Sequence, residues 1–247
     1  MSINIQKNQS GMAHVLLGLI VVVVIAVIGG VAWKVSKNSS TPSTGINKVV
    51  QDKCMAEVND SVFCKFAGAF GNVGDYKVIV NSTAEGSASV LELANDSKGN
   101  SSMVVKVNGQ EQGNIISYSG VTYSKDYTDG QWFKYAASDT TKPSTVDLKK
   151  EFLKSDFKGD DGQKLEYKKI GTEKCDNLSC YKYQTVDSQK PTETDYIWFD
   201  TKDYLLRRAT VNDSKTNSNA EMTISYASVV ISAPSPTKDA PTADTTQ

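Results

Sequence analysis

From Asp75 onward the apolar residues recur at every second position, and turn residues interrupt them at short, regular intervals. Period two is the signature of a strand with one buried face, so this stretch commits the chain to a sheet. The pattern predicts strands at 75–83, 86–94, 101–108, 112–118, 121–127 and 131–136. Glu85-Gly86, Lys98-Gly99-Asn100, Asn108-Gly109, Gly120 and Asp129-Gly130 supply the turns between them. Pro143-Ser144-Thr145 then introduces a helical piece carrying Val146, Leu148, Phe152 and Leu153. Strands resume at 164–171, 179–186, 193–200, 203–212 and 218–231. Tyr181 and Tyr183 share a face that Lys182 does not. Tyr196 and Trp198 lie on one face and Ile197 and Phe199 on the other, so that strand reads as covered on both sides.

Two helices precede the strands. Ile46, Val49, Val50, Cys54 and Val58 fall at spacings of three or four, with Ser43 or Thr44 as the cap. Val62, Phe63, Phe66, Ala67 and Phe70 mark the second helix, ended by Gly71 and Gly74. The order is a helix pair, six strands, a helical insert and five strands. The expected fold class is α+β: about eleven antiparallel strands in a curved, unclosed half-barrel, with helices in or over its concave face.

Ala13 to Trp33 reads AHVLLGLIVVVVIAVIGGVAW, long enough to cross a hydrocarbon core of about 30 Å as a helix. Trp33 and Lys34 stand where an interfacial aromatic and a snorkelling cation belong. A cleaved signal peptide and a pilin-type segment are the rival readings. The long leading segment with one lysine disfavours the first. Leu16 stands where a pilin carries glutamate, which disfavours the second. The expected layout is a cytoplasmic segment at 1–12, a transmembrane anchor at 13–33 and a linker at 34–44. An extracytoplasmic domain follows at 45–232, with a disordered tail at 233–247.

Cys54, Cys64, Cys175 and Cys180 form an even set after the apolar run, which suggests disulfides in an oxidising compartment. Four cysteines allow three pairings. On one unbroken helix Cys54 and Cys64 would stand about 15 Å apart, beyond bridging range. Asn59-Asp60-Ser61 can break the helix and cap the next, so the expected bridges are 54–64 and 175–180. Zinc is the rival, and the spacings with no histidine fit common zinc modules poorly.

The chain has 27 Lys and Arg against 28 Asp and Glu. Residues 1–44 hold three lysines and no acid, leaving 24 basic and 28 acidic side chains, a net of −4, for the rest. A nucleic-acid partner is therefore not expected. His14, the single histidine, lies in the apolar run, so His-based nucleophile pairs and HExxH metal sites are excluded from the domain. The cluster Asp156, Asp160 and Asp161 lacks EF-hand spacing and reads as a solvated loop. Gly68-x-x-Gly71-x-x-Gly74 lacks the strand-before, helix-after setting of a dinucleotide site. Arg207 and Arg208, adjacent on a strand, point to opposite faces and form no joint anion clamp. No catalytic residue, metal site or cofactor is expected.

Three local strings carry a resemblance. They are Gly120-Val-Thr-Tyr123, Tyr196-Ile-Trp-Phe-Asp-Thr-Lys-Asp-Tyr-Leu-Leu-Arg207, and Ile224-Ser-Tyr226 leading to Ala233-Pro234. With the element order over residues 45–232, they resemble the LolA-like half-barrel family of the LolA, LprG and LppX type. The resemblance implies a lipid or lipidated-protein partner, with acyl chains held in the half-barrel's apolar cavity. Candidate lining residues are Leu91, Leu93, Val105, Val107, Ile116, Tyr118, Tyr123, Trp132, Tyr181, Tyr183, Tyr196 and Trp198. The alternative is a surface interaction or structural module in which the same side chains fill an ordinary core.

Overall fold

The computed structural model of the chain describes residues 46–241, apart from 71, 85, 137–141, 147, 149–156, 158–164 and 189. The expected anchor and linker, most of the helical insert and the Asp156–Asp161 cluster lie outside the described residues.

Two helices lead the domain, α1 (Lys48–Glu57) and α2 (Ser61–Phe70). The cap of α1 is Asn47, whose side chain accepts from the Val50 amide, and not Ser43 or Thr44. The break between the helices falls where expected. Asn59 takes a left-handed backbone (φ 59°) and ends α1. The Asp60 carboxylate then accepts from the amides of Val62 and Phe63, each at 2.9 Å, and caps α2. Cys54 and Cys64 form a disulfide across this elbow, with Cα atoms 5.3 Å apart. Gly68 permits the crossing: a Cβ there would stand 2.5 Å from Ile46 Cγ2, and its carbonyl accepts from the Asn47 amide.

The strands are β1 (Tyr76–Ala84), β2 (Ser87–Asn95), β3 (Ser101–Val107), β4 (Gln110–Tyr118), β5 (Val121–Lys125) and β6 (Trp132–Tyr135). After the β6–β7 connection come β7 (Glu166–Cys175), β8 (Leu178–Val186), β9 (Glu193–Asp200), β10 (Leu206–Asp213), β11 (Ser218–Ser225) and β12 (Thr237–Asp239). They form one unclosed sheet in the order β12-β6-β5-β4-β3-β2-β1-β11-β10-β9-β8-β7. Each run is an antiparallel meander, and β1 pairing with β11 joins the two. Asn108 and Gly109, both at positive φ, make the tight turn that Asn-Gly predicted. Cys175 and Cys180 pair across the β7–β8 turn with Cα atoms 5.9 Å apart.

Two expectations are corrected. The last long strand ends at Ser225, not at 231, and the tail is not irregular throughout. Its residues Thr237–Asp239 form the twelfth strand, the one parallel pairing in the described sheet, beside β6. The pairing has a local cause. The Lys238 amine reaches Asp126 at 2.5 Å and Asp129 at 2.7 Å and lies 4.5 Å over the Phe133 ring. Between β11 and β12 the chain straps the back of the sheet. Val229 donates its amide to Asp75, and Val229 to Ile231 wall a depression whose floor includes Lys77, Ile79 and Val104.

Candidate functional site

Cross-strand registry divides the helix-covered face into rows. One apolar row runs Tyr183, Ile197, Ala209, Met222, Val80, Leu91, Val105 from β8 to β3. A second, nearer the other end, includes Phe199, Ile224, Val78, Leu93, Met103 and Ile115. All of these are buried. Outside them lie polar rows. One is Thr185, Asp195, Val211, Ala220, Ser82, Ser89 and Val107, with Ser82 and Ser89 hydroxyls 2.9 Å apart. The other runs through Tyr76, Asn95, Ser101, Ser117, Thr122 and Tyr135. The helix face is thus a trough, apolar along its middle and polar at each end.

Aromatic side chains of α2 enter one half of this trough. Phe66 stacks on Phe199 at 4.7 Å, and Phe63 meets Tyr167 at 4.1 Å and Tyr183 at 5.7 Å. Tyr183 also donates its hydroxyl to both carboxylate oxygens of Asp60, at 2.9 and 3.1 Å. Burial, with Asp60 adding to it, pushes the Tyr183 phenol well up, so it stays a donor. The β6–β7 connection adds Val146, Leu148 and Phe157 to the same core. Phe157 packs edge-on against Phe63 at 6.2 Å, and the Thr145 hydroxyl meets that of Ser101 at 2.5 Å.

The twelve candidate lining residues do not share this trough. Leu91, Leu93, Val105, Val107, Tyr181 and Tyr183 lie on the helix face. Ile116, Tyr118, Tyr123, Trp132, Tyr196 and Trp198 lie on the back, out of phase with the core, with Ile116 and Tyr123 in register. Two faces of one sheet cannot line one cavity, so that grouping is corrected. Strand alternation separates faces within a strand. It does not say which face is inner where both are apolar, as at Ile115–Ile116 and Tyr196–Phe199.

The back-face residues have partners of their own. Trp198 stands between Lys182 and Arg208, each 4.8 Å from its ring, and donates its indole N–H to Glu173. Lys182 pairs with Glu173 at 3.5 Å and Arg208 with Glu221 at 2.7 Å, bordering an open groove of about 360 Å³. Arg207 pairs with Asp200 at 3.4 Å, lies over Tyr226 and borders the strapped depression on this same side, because a register shift between Leu206 and Arg208 interrupts the alternation. The expected opposite-face placement is corrected, and the two arginines still serve different partners. The strapped depression on the same side measures about 470 Å³. Among the described residues no group of three or more His, Cys, Asp or Glu side chains is placed to hold a metal ion.

Sequence reading missed two acids. Asp195 is 7% exposed on the helix face, between Thr185 and Val211, and its Oδ1 finds no hydrogen-bond partner among the described residues. Burial pushes its carboxyl up to about 7, with Glu193 and Asp187 acting in the same direction and Lys190 against it. Glu57, at the end of α1, likewise has a buried Oε2 without a partner among the described residues, and its charge helps raise the Tyr167 phenol above its ordinary range. Nothing in an alternating strand marks which polar position the fold will bury.

The chain matches no protein-family model, and no curated protein matches it by sequence. Solved structures similar to it include the Mycobacterium tuberculosis lipoprotein LppX, 12% identical, covering 72% of this chain and 94% of that one at a TM-score of 0.40. The MucA/MucB complex of Pseudomonas aeruginosa is 11% identical and covers 68% of this chain and 57% of that one at 0.39. A LolA superfamily protein from Nitrosomonas europaea is 10% identical and covers 73% and 91% at 0.26.

Proposed function

We propose that the chain is a membrane-anchored, extracytoplasmic binding module without catalytic activity, which takes an acyl chain or lipidated ligand along its trough. The observation that carries this reading is how the apolar rows are covered. The sheet is unclosed, so its inner face is covered by the helix pair and by Val146, Leu148 and Phe157 of the β6–β7 connection. Val146, Leu148 and Phe157 belong to no strand, so they can leave the core without breaking a ladder hydrogen bond. Re-exposing Leu148 and Phe157 costs about 1.5–3 kcal/mol each, while a twelve-carbon chain gains about 10 kcal/mol at ~0.8 per methylene. The surplus is of the size needed to offset the entropy of association. The two disulfides fit an oxidising compartment, and the 13–33 apolar run supports tethering to its membrane.

The test is photolabelling of the full chain in membranes with a diazirine fatty acid. Crosslinks are expected on β2, β3 or residues 142–165, and unlabelled fatty acid should compete them away. Val105→Trp, which fills the trough, should lose them, whereas Tyr196→Ala on the back should not. Label confined to residues 13–33 would refute the reading and favour the module with a filled core.

A further inference from the structure

We propose that the Thr185–Asp195 end of the trough is a headgroup subsite for a cationic, hydrogen-bond-donating group, on a ligand whose hydrocarbon lies along the two apolar rows. This rests on the acyl-chain reading above and adds the ligand's polarity and its direction.

The two ends of the trough differ in chemistry. The Tyr76–Tyr135 row holds Asn, Ser, Thr and Tyr and carries no charge, and the connection reaches it through the Ser101–Thr145 contact. The opposite row carries Asp195, two residues before Ile197 on β9, beside Thr185 on β8 and Val211 on β10. Thr185 is itself in register with Tyr167 on β7, and the charge of Glu57 acts on Tyr167 from the end of α1. Asp195 on the sheet is thus the acid of this row, and Glu57 at the end of α1 acts on its β7 neighbour Tyr167.

Both acids keep a buried oxygen without a hydrogen bond among the described residues. Leaving a buried polar atom unpaired is costly, more so when it is charged, and this cost is recovered when a ligand supplies the donor. Lys190, the nearby cation, pairs with Glu193 at 3.6 Å, and Asp187 adds further negative potential. An anionic headgroup would meet carboxylates here, and a neutral one would gain less. A protonated amine satisfies both charge and donor count.

Three twelve-carbon amphiphiles separate headgroup from chain: dodecylammonium, dodecanol and dodecanoate. Each is titrated at pH 8 against the full chain, held in an amphipathic polymer and preloaded with a fluorescent long-chain alcohol. Dodecylammonium is expected to displace the probe at about tenfold lower concentration than dodecanol, with dodecanoate the weakest. Asp195→Asn should bring the amine to within about twofold of the alcohol and leave the alcohol unchanged. Equal displacement by all three, or an amine preference that survives Asp195→Asn, overturns the subsite while leaving the trough intact. Failure of the alcohol probe itself to bind overturns the acyl-chain reading, and the subsite with it.

Discussion

Asp195 couples the stability of the domain to pH, and its size can be worked from its surroundings. Asn at this position keeps the shape and removes the charge. The native carboxyl is pushed up to about 7 by burial, against its ordinary 3.8. A folded-state value above the unfolded one means that the full stability is present below about pH 4. It is lost progressively as pH rises to about 7, because the unfolded chain ionises first. At about 1.4 kcal/mol per pH unit, a separation of about three units amounts to ~4 kcal/mol at most, and relaxation of the site lowers this to about 2–4. Urea unfolding of the full chain, followed by tryptophan fluorescence at pH 4.5, 6 and 7.5, reads the effect. Wild type should lose stability across this range, and Asp195→Asn should lose less, so that the gap between them widens toward pH 7.5. Parallel profiles for the two proteins would show that the buried carboxyl does not sense folding, and the reasoning would fail.

Other expectations follow from the packing. Tyr183→Phe removes the donor to Asp60 and should cost about 1.5–3 kcal/mol in the same urea assay, since the acceptor is a charged cap. Gly68→Val should lower the melting temperature by several degrees, because its side chain collides with Ile46 and the Asn47 carbonyl. Replacing Cys54 and Cys64 together by Ala opens a ten-residue loop and should cost about 2–3 kcal/mol, while chain mass after thiol labelling reports the intact bridge in wild type. Lys238→Ala should speed hydrogen exchange at the Trp132 and Ala240 amides, which β12 and β6 share. Lys238 and Thr128 hold the Asp126 carboxyl down to about 2. The protection in wild type should therefore persist at pH 4 and be lost as pH falls through about 2.

The sheet was legible because its signals are local. Ten of the eleven expected strands fall within a few residues of their alternating runs, and Asn108-Gly109 and Asn59-Asp60 act through backbone preferences that neighbours do not change. What could not be read depends on partners distant in sequence. Thr237–Asp239 has no alternation, and its strand exists because β6 offers an edge and Asp126 and Asp129 hold Lys238. The inner face of β4 is chosen by the register that places Ile115 beside Met103, not by any property of Ile115 over Ile116. Tyr183 lies in the trough row, and its hydroxyl also fixes the start of α2, a role the sequence does not show because Asp60 lies over it only in the folded chain.

The strap behind the sheet orders events in time. From β11 to β12 the chain crosses seven strand spacings, about 34 Å at 4.8 Å each. It has twelve residue steps, Ser225 to Thr237, worth about 40 Å when extended. Little slack remains, so β12 reaches β6 only once both meanders are built and β1 has found β11. Its hydrogen bonds should be the last in the sheet to form, a built-in marker that assembly of the long-range joint is complete.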